Sequence, residues 1–233
     1  MIMEILKYRI TSIDSVDDIR IFRLEPEEKG LDYKPGHFAM LHHLDMSGKS
    51  TVHRPYSIAS SPARPYIEFC IKMVGGKLTS ILEGAKLGDV YGISGPMGHF
   101  TYKGQERCAF IAGGTGIAPF MSMLRYICDK GIEGDFTLFY SVRSRDIIIY
   151  RKELEELNKK QGISIVITLT REKPESWEGE CGRIDGDMLE RHAENHSETH
   201  WYLCGPLKMT TCLRGCLIER GVSDDKITFE GWG

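Results

Sequence analysis

Arg54-Pro55-Tyr56-Ser57 places a fixed cation, an aromatic ring and a hydroxyl within one short stretch. On a strand, alternation sends Arg54 and Tyr56 to one face and Ser57 to the other. A guanidinium grips phosphate oxygens with a planar fork, and an aromatic ring offers a stacking surface. The combination suits a flat ring system that carries phosphate. Further on, Gly76-Lys77-Leu78-Thr79 opens a short predicted helix, where backbone N–H groups meet phosphate and glycine permits close approach. Gly113-Gly114-Thr115-Gly116 joins a predicted strand to a helix entered through Pro119, whose missing N–H is harmless in a first turn. Cys204-Gly205-Pro206-Leu207-Lys208-Met209 likewise ends a strand and begins a helix. In open α/β sheets ligands bind beyond the carboxyl ends of strands, which puts the Cys204 thiol at such a place. Taken singly, each has a plainer reading: a surface strand, a simple strand-to-helix turn, a buried thiol.

The elements that must position these residues fall into two groups. Short β-rich runs at 6–13, 19–24, 37–42, 54–59, 66–73 and 90–93 are punctuated by Lys34-Pro35-Gly36, Ser61-Pro62 and Gly75-Gly76. That spacing predicts a small closed antiparallel β-barrel, with one helix starting near Lys77. Beyond Lys103, strands at 108–112, 136–142, 163–169, 201–204 and 226–229 alternate with helices at 119–130, 145–160, 187–192 and 207–220. This pattern predicts a doubly wound α/β domain with a parallel sheet. Gly131, Gly162 and Gly221 stand where left-handed residues close helices. The expected division is 1–103 and 104–233, and 233 residues accommodate two small domains.

Composition narrows the function classes. The 41% apolar and 27% charged content is that of a globular chain, and no apolar run approaches the roughly 20 residues of a membrane helix. The start, Met1-Ile2-Met3-Glu4, lacks the basic and apolar regions of a secretory signal, so a cytoplasmic location is expected. An odd set of seven cysteines reads as reduced thiols, and a net charge of −3 does not point to nucleic acid. His192, His196 and His200 have helical spacing, but Asn195, Ser197 and Thr199 interrupt the helix, and no metal site is expected. No Cys-x-x-Cys pair is present, so an iron–sulfur cluster would belong to a partner.

Arg-x-Tyr-Ser, Gly-x-x-Thr, Gly95-Pro96-Met97-Gly98-His99-Phe100, Gly-Gly-Thr-Gly-Ile-Ala-Pro and Cys-Gly-Pro-x-x-Met occur here in the order found in the ferredoxin–NADP reductase superfamily, which the chain resembles over essentially its whole length. The resemblance implies an FAD-binding barrel followed by an NAD(P)-binding α/β domain. It implies that Tyr56 stacks on the flavin, that Arg54 and the Gly76–Thr79 turn hold the pyrophosphate, and that Ser57 lies near flavin N5. Pro55, Ile71, Lys77 and Leu78 join that implied FAD set. On the coenzyme side it implies a pyrophosphate loop of Gly114, Thr115, Gly116 and Pro119, and a nicotinamide neighbourhood of Cys204, Gly205, Pro206 and Met209. Glu230-Gly231-Trp232-Gly233 resembles the family's carboxyl end in its diflavin form, which implies Trp232 over the flavin. Ser57, Cys204 and Glu230 are then the polar groups around the hydride path. Thr170-Arg171-Glu172 and Arg143 resemble groups that grip the adenosine end of NADPH, with NADH still open. The implied activity is hydride transfer between NADPH and FAD, with one-electron exchange with ferredoxin, flavodoxin or another acceptor protein. The alternatives are an NADH-using reductase component of an oxygenase or other complex, and a flavin reductase.

Overall fold

The computed structural model describes residues 4–193 and 195–232; the Met1–Met3 start and Gly233 used in the sequence reading lie outside the described residues. The chain forms two compact units, one of residues 1–102 with Ala118–Gly131, the other of Lys103–Ile117 with Ile132–Gly233.

The first unit holds β1 (Leu6–Val16), β2 (Ile19–Pro26), β3 (Phe38–Leu44), β4 (Ser50–Ser57), β5 (Ile67–Lys72) and β6 (Val90–Met97), with α1 (Lys77–Glu83) between the last two. The strands form one antiparallel sheet in the order β4-β3-β6-β1-β2-β5, and a bridge from Ile58 to Phe69 links its two ends. Tyr8, Phe22, Leu41, Phe69 and Ile93 fill the interior at 3% exposure or less. Each contributes about 1.5–3 kcal/mol through apolar burial. The helix α2 (Ala118–Lys130) completes this unit.

The second unit is a parallel sheet of β7 (Arg107–Gly113), β8 (Asp135–Val142), β9 (Ile163–Leu169), β10 (Glu180–Cys181), β11 (His200–Pro206) and β12 (Ile227–Trp232). Its order, β10-β9-β8-β7-β11-β12, runs outward one way from β7 and then returns to start again at β11. The switch point therefore lies between β7 and β11. Helices α3 (Arg151–Leu157), α4 (Gly186–His192) and α5 (Leu207–Glu219) complete the unit. Gly131 and Gly221 have positive φ just after α2 and α5, as helix-closing residues require, whereas Gly162, also left-handed, lies in the turn before β9 because α3 already ends at Leu157.

Two elements differ from the sequence reading. The single helix expected over 145–160 is broken into a 3-10 turn at Arg145–Ile147 and α3, with Tyr150 left-handed at φ 59° between them. Ile148 and Ile149 are both buried, and the left-handed backbone of Tyr150 stops the two pieces from continuing as one helix. The short β10 was not anticipated because two residues carry no alternation. Among the described residues no helix is long and apolar enough to cross a membrane.

Candidate functional site: a phosphate cradle on the barrel and a glycine cleft on the parallel sheet

On the barrel, β4 carries Arg54, Pro55, Tyr56 and Ser57, opposite Leu41, Met40, Ala39 and Phe38 of β3. Arg54 is exposed and donates Nη1 to the carbonyl of His53 at 2.8 Å, a bond within its own strand. Tyr56 leans its half-buried ring toward Phe69 at 6.2 Å between centroids, and burial pushes its phenol upward. The helix α1 packs against β4, which brings the Gly76–Thr79 turn to the same region. Gly75 is left-handed at φ 67° with open space where a Cβ would stand. The Thr79 hydroxyl accepts from Gly76 N at 2.8 Å and donates to Gly76 O at 3.1 Å. Thr79 thus shapes the turn, and Gly76 and Lys77 are exposed residues beside Arg54's strand. An exposed guanidinium, an aromatic ring and an uncrowded glycine turn fit the pyrophosphate and ring system of FAD. Ile71, by contrast, is 1% exposed and packs in the barrel core.

On the parallel sheet, the glycines of the first turn have separate jobs. A Cβ on Gly113 would meet Met209 Sδ and Pro206 Cδ at 2.9 Å, and one on Gly116 would meet the Cys204 carbonyl oxygen at 2.2 Å. Gly114 is left-handed at φ 55° and exposed, with nothing within 4 Å of its Cβ position. So two glycines let the β7 and β11 turns close on each other, and the third leaves an open backbone concavity at the switch point. Thr115 lies in the same 3-10 turn, Gly114–Ile117, which leads into α2 with Pro119 in its first turn. Gly205, at φ 154°, completes the close approach from the β11 side. This cradle is where an open α/β sheet holds a dinucleotide pyrophosphate.

Cys204, fully buried, pairs in register with Glu230 of β12, and Pro206 with Trp232. Burial and then the Glu230 charge push the Cys204 thiol well above its ordinary value, so it stays protonated and neutral. Desolvation raises Glu230 as well. Trp232 is 42% exposed. Because the folded chain favours protonated Glu230, that residue's contribution to stability is full in acid and is lost as pH rises through its raised value. Replacing Glu230 by Gln is expected to raise the melting temperature near neutral pH and to leave it unchanged in acid. A melting series across pH checks this; identical curves for both proteins would contradict it.

At the outer end of the cleft, Thr170 donates Oγ1 to the Val142 carbonyl at 3.1 Å, and Arg171 N donates to the Arg143 carbonyl at 3.0 Å. The structure therefore brings together Thr170, Arg171 and Arg143, which are far apart in sequence, with both arginines exposed. The Glu172 carboxylate accepts from the Arg145 backbone N–H and ties the two loops to each other. Two of the three histidines of helical spacing serve elsewhere: His192 Nε2 meets Glu180 Oε1 at 2.7 Å and His196 stands edge-on to Trp201. Among the described residues no group of three His, Cys, Asp or Glu side chains could hold a metal ion.

Sequence reasoning missed the polar face of α2. Ser122, Arg125 and Asp129 share one side of the helix, and Ser122 and Arg125 are buried. The signal was present as an arginine in the apolar run Phe120-Met121-Ser122-Met123-Leu124-Arg125, since a buried arginine requires partners. The Glu172 clip had no such signal.

A barrel followed by a doubly wound sheet, with a phosphate cradle on one and a glycine cleft at the switch point of the other, defines a dinucleotide-binding protein with two nucleotide sites. Residues 8–102 match the oxidoreductase FAD-binding domain and residues 110–215 the oxidoreductase NAD-binding domain. The chain belongs to the ferredoxin–NADP reductase superfamily, whose members join these two domains. It is similar to the reductase component of propane 2-monooxygenase from Mycolicibacterium goodii, 32% identical over 92% of this chain and 64% of the relative. The glycine betaine monooxygenase reductase subunit of Pseudomonas aeruginosa is also 32% identical, over 93% of this chain and 61% of the relative. The chain thus spans a little under two thirds of the length of these relatives. In fold it matches the flavohem-like FAD/NAD binding domain of nitric oxide dioxygenase from Vibrio cholerae O1 biovar El Tor, with a TM-score of 0.87, 22% identity and 98% of each chain covered.

Proposed function

We propose that this chain is a cytoplasmic, FAD-holding reductase that oxidises NADPH and delivers electrons one at a time to an acceptor protein such as ferredoxin, flavodoxin or an oxygenase component. The observation that carries the reading is the Arg54–Ser57 strand beside the Gly76–Thr79 turn within the FAD-binding match, and the Gly114–Gly116 turn next to Cys204 within the NAD-binding match. Bound FAD supplies the redox chemistry, taking a hydride from the reduced nicotinamide and releasing single electrons. Arg54 and the Gly76–Thr79 turn, with Lys77 and Leu78, hold the FAD pyrophosphate. Tyr56 stacks on the flavin, Pro55 stiffens the strand between them, and Ser57 offers its hydroxyl at the flavin's polar edge. Gly114, Thr115, Gly116 and Pro119 hold the coenzyme pyrophosphate, and Gly205, Pro206 and Met209 wall the nicotinamide side. Cys204 Sγ keeps its proton and so presents a neutral, weakly nucleophilic surface there. Glu230 holds a proton more readily than an exposed glutamate, and Trp232 is the stacking group that yields to nicotinamide.

Thr170, Arg171 and Arg143 select NADPH by gripping its 2′-phosphate. Replacing either arginine by alanine is expected to weaken NADP+ about tenfold or more while leaving NAD+ nearly unchanged, the worth of one charge-assisted hydrogen bond. Titration of both coenzymes into each variant checks it; equal losses for the two coenzymes would remove the phosphate role.

A second reading is favoured by the relatives: two of them are reductase components of monooxygenases, so the main alternative is a reductase that serves an oxygenase, with the coenzyme decided by the titration above. The test supplies the FAD-loaded chain with either coenzyme and cytochrome c as a one-electron acceptor. Reduction of two cytochromes per coenzyme oxidised supports the reading, and coenzyme oxidation with no acceptor reduction would reduce the chain to a flavin reductase or oxidase.

A further inference from the structure

Helix α2 lies within the stretch that matches the NAD-binding domain, yet it packs as part of the barrel unit. Its polar face shows why. Arg125 Nη1 donates to Glu68 Oε1 at 2.7 Å and to the Ala59 carbonyl at 2.9 Å, with both charged side chains at most 4% exposed. One turn earlier, Ser122 Oγ donates to the Ser60 carbonyl at 2.6 Å. One turn later, Asp129 takes two bonds from Arg64, at 3.0 and 3.1 Å. The same segment is held from the barrel side. Ala59 N donates to Glu68 O at 2.8 Å, Ser60 Oγ accepts from Glu68 N at 3.0 Å, and Tyr33 OH meets Ser60 Oγ at 2.8 Å. Ala59 and Ser60 are buried and follow Arg54-Pro55-Tyr56-Ser57 after the single residue Ile58. Their carbonyls have left the sheet ladder, and α2 supplies donors that a buried carbonyl needs.

We infer that Arg125 and Ser122 are positioning residues for FAD, because they fix the exit of the strand that carries the flavin-binding residues. The inference rests on the flavin reading proposed above. Without Arg125 the buried Ala59 carbonyl loses its donor, and without Ser122 the Ser60 carbonyl keeps only the longer bond from Tyr33 OH at 3.2 Å, so the segment shifts to recover partners. Tyr56 and Ser57 move with it, and a binding strand displaced by a fraction of an ångström loses its match to a rigid ligand. The FAD site therefore does not end with the residues of the FAD-binding match at 102; it includes a helix contributed from later in the chain.

The test uses the full chain stripped of flavin and titrated with FAD, followed by quenching of flavin emission and by the shape of the visible absorption band. Wild type reports on the flavin reading itself, since failure to bind FAD at all would sink that reading. The variants are Ser122→Ala and the double replacement Arg125→Met with Glu68→Met, which removes both buried charges together and avoids stranding one of them. The Kd for FAD is expected to rise roughly tenfold in the double variant and a few-fold in Ser122→Ala, as for groups in one coupled network. The band should lose fine structure in both, with circular dichroism unchanged. Wild-type affinity and band shape in the folded variants would overturn the inference, because a merely structural role lowers melting temperature alone. If the double variant does not fold, Ser122→Ala, which deletes one hydroxyl, decides alone.

Discussion

Gly116→Ala will cost the second unit about 3 kcal/mol or more and abolish dinucleotide binding. The added methyl would stand 2.2 Å from the Cys204 carbonyl oxygen and 2.7 Å from its carbon. Both atoms are backbone, so no side chain can rotate away, and the β7 and β11 turns must separate at the switch point. The same substitution at Gly215 is expected to do the reverse. Gly215 sits inside α5 with nothing within 4 Å of its Cβ position, so alanine there adds helix propensity and stabilises by about 0.5–1 kcal/mol. Thermal unfolding and NADP+ titration of the two variants check both signs. Normal coenzyme affinity in Gly116→Ala would mean that the cleft relaxes more easily than its backbone contacts allow.

Arg54→Ala will leave folding intact and weaken FAD about ten- to hundredfold. The side chain is exposed, and its bond to the His53 carbonyl lies within its own strand, so the fold loses little when it goes. A guanidinium bound to pyrophosphate contributes about 1.5–3 kcal/mol, which is the stated range in affinity. Arg54→Lys should recover part of the loss, since an ammonium keeps the charge without the planar fork. Fluorescence titration of FAD separates the three proteins; equal affinity in all would place the pyrophosphate elsewhere.

Much of this was readable because local chemistry and architecture coincide. Glycine turns after β7 and β11 had to be close-packed or left-handed, and Gly113, Gly114, Gly116 and Gly205 are. The last long helix fell close to where periodicity put it because Thr210, Leu213 and Leu217 bury one regular face. The break at Ile148–Tyr150 was hidden because a run of isoleucines fits a buried helix as well as an extended turn. The meeting of Arg143 with Thr170 and Arg171 depends on β8 lying beside β9, a pairing that sequence spacing does not encode. The role of Thr79 needed its side chain located, since the motif fits a hydroxyl turned outward to phosphate or inward to Gly76. Arg125 was visible as an oddity in an apolar helix, but its partner Glu68 on β5 lies 57 residues away in sequence.

The most direct test is anaerobic mixing of the FAD-loaded chain with NADPH and, separately, with NADH at matched concentrations, followed by bleaching of the flavin visible band. The account predicts rapid bleaching with NADPH and slow bleaching with NADH. Faster bleaching with NADH would overturn the coenzyme assignment to Thr170, Arg171 and Arg143 and favour the oxygenase-reductase reading. No bleaching with either, in a chain that holds FAD, would contradict the reductase itself.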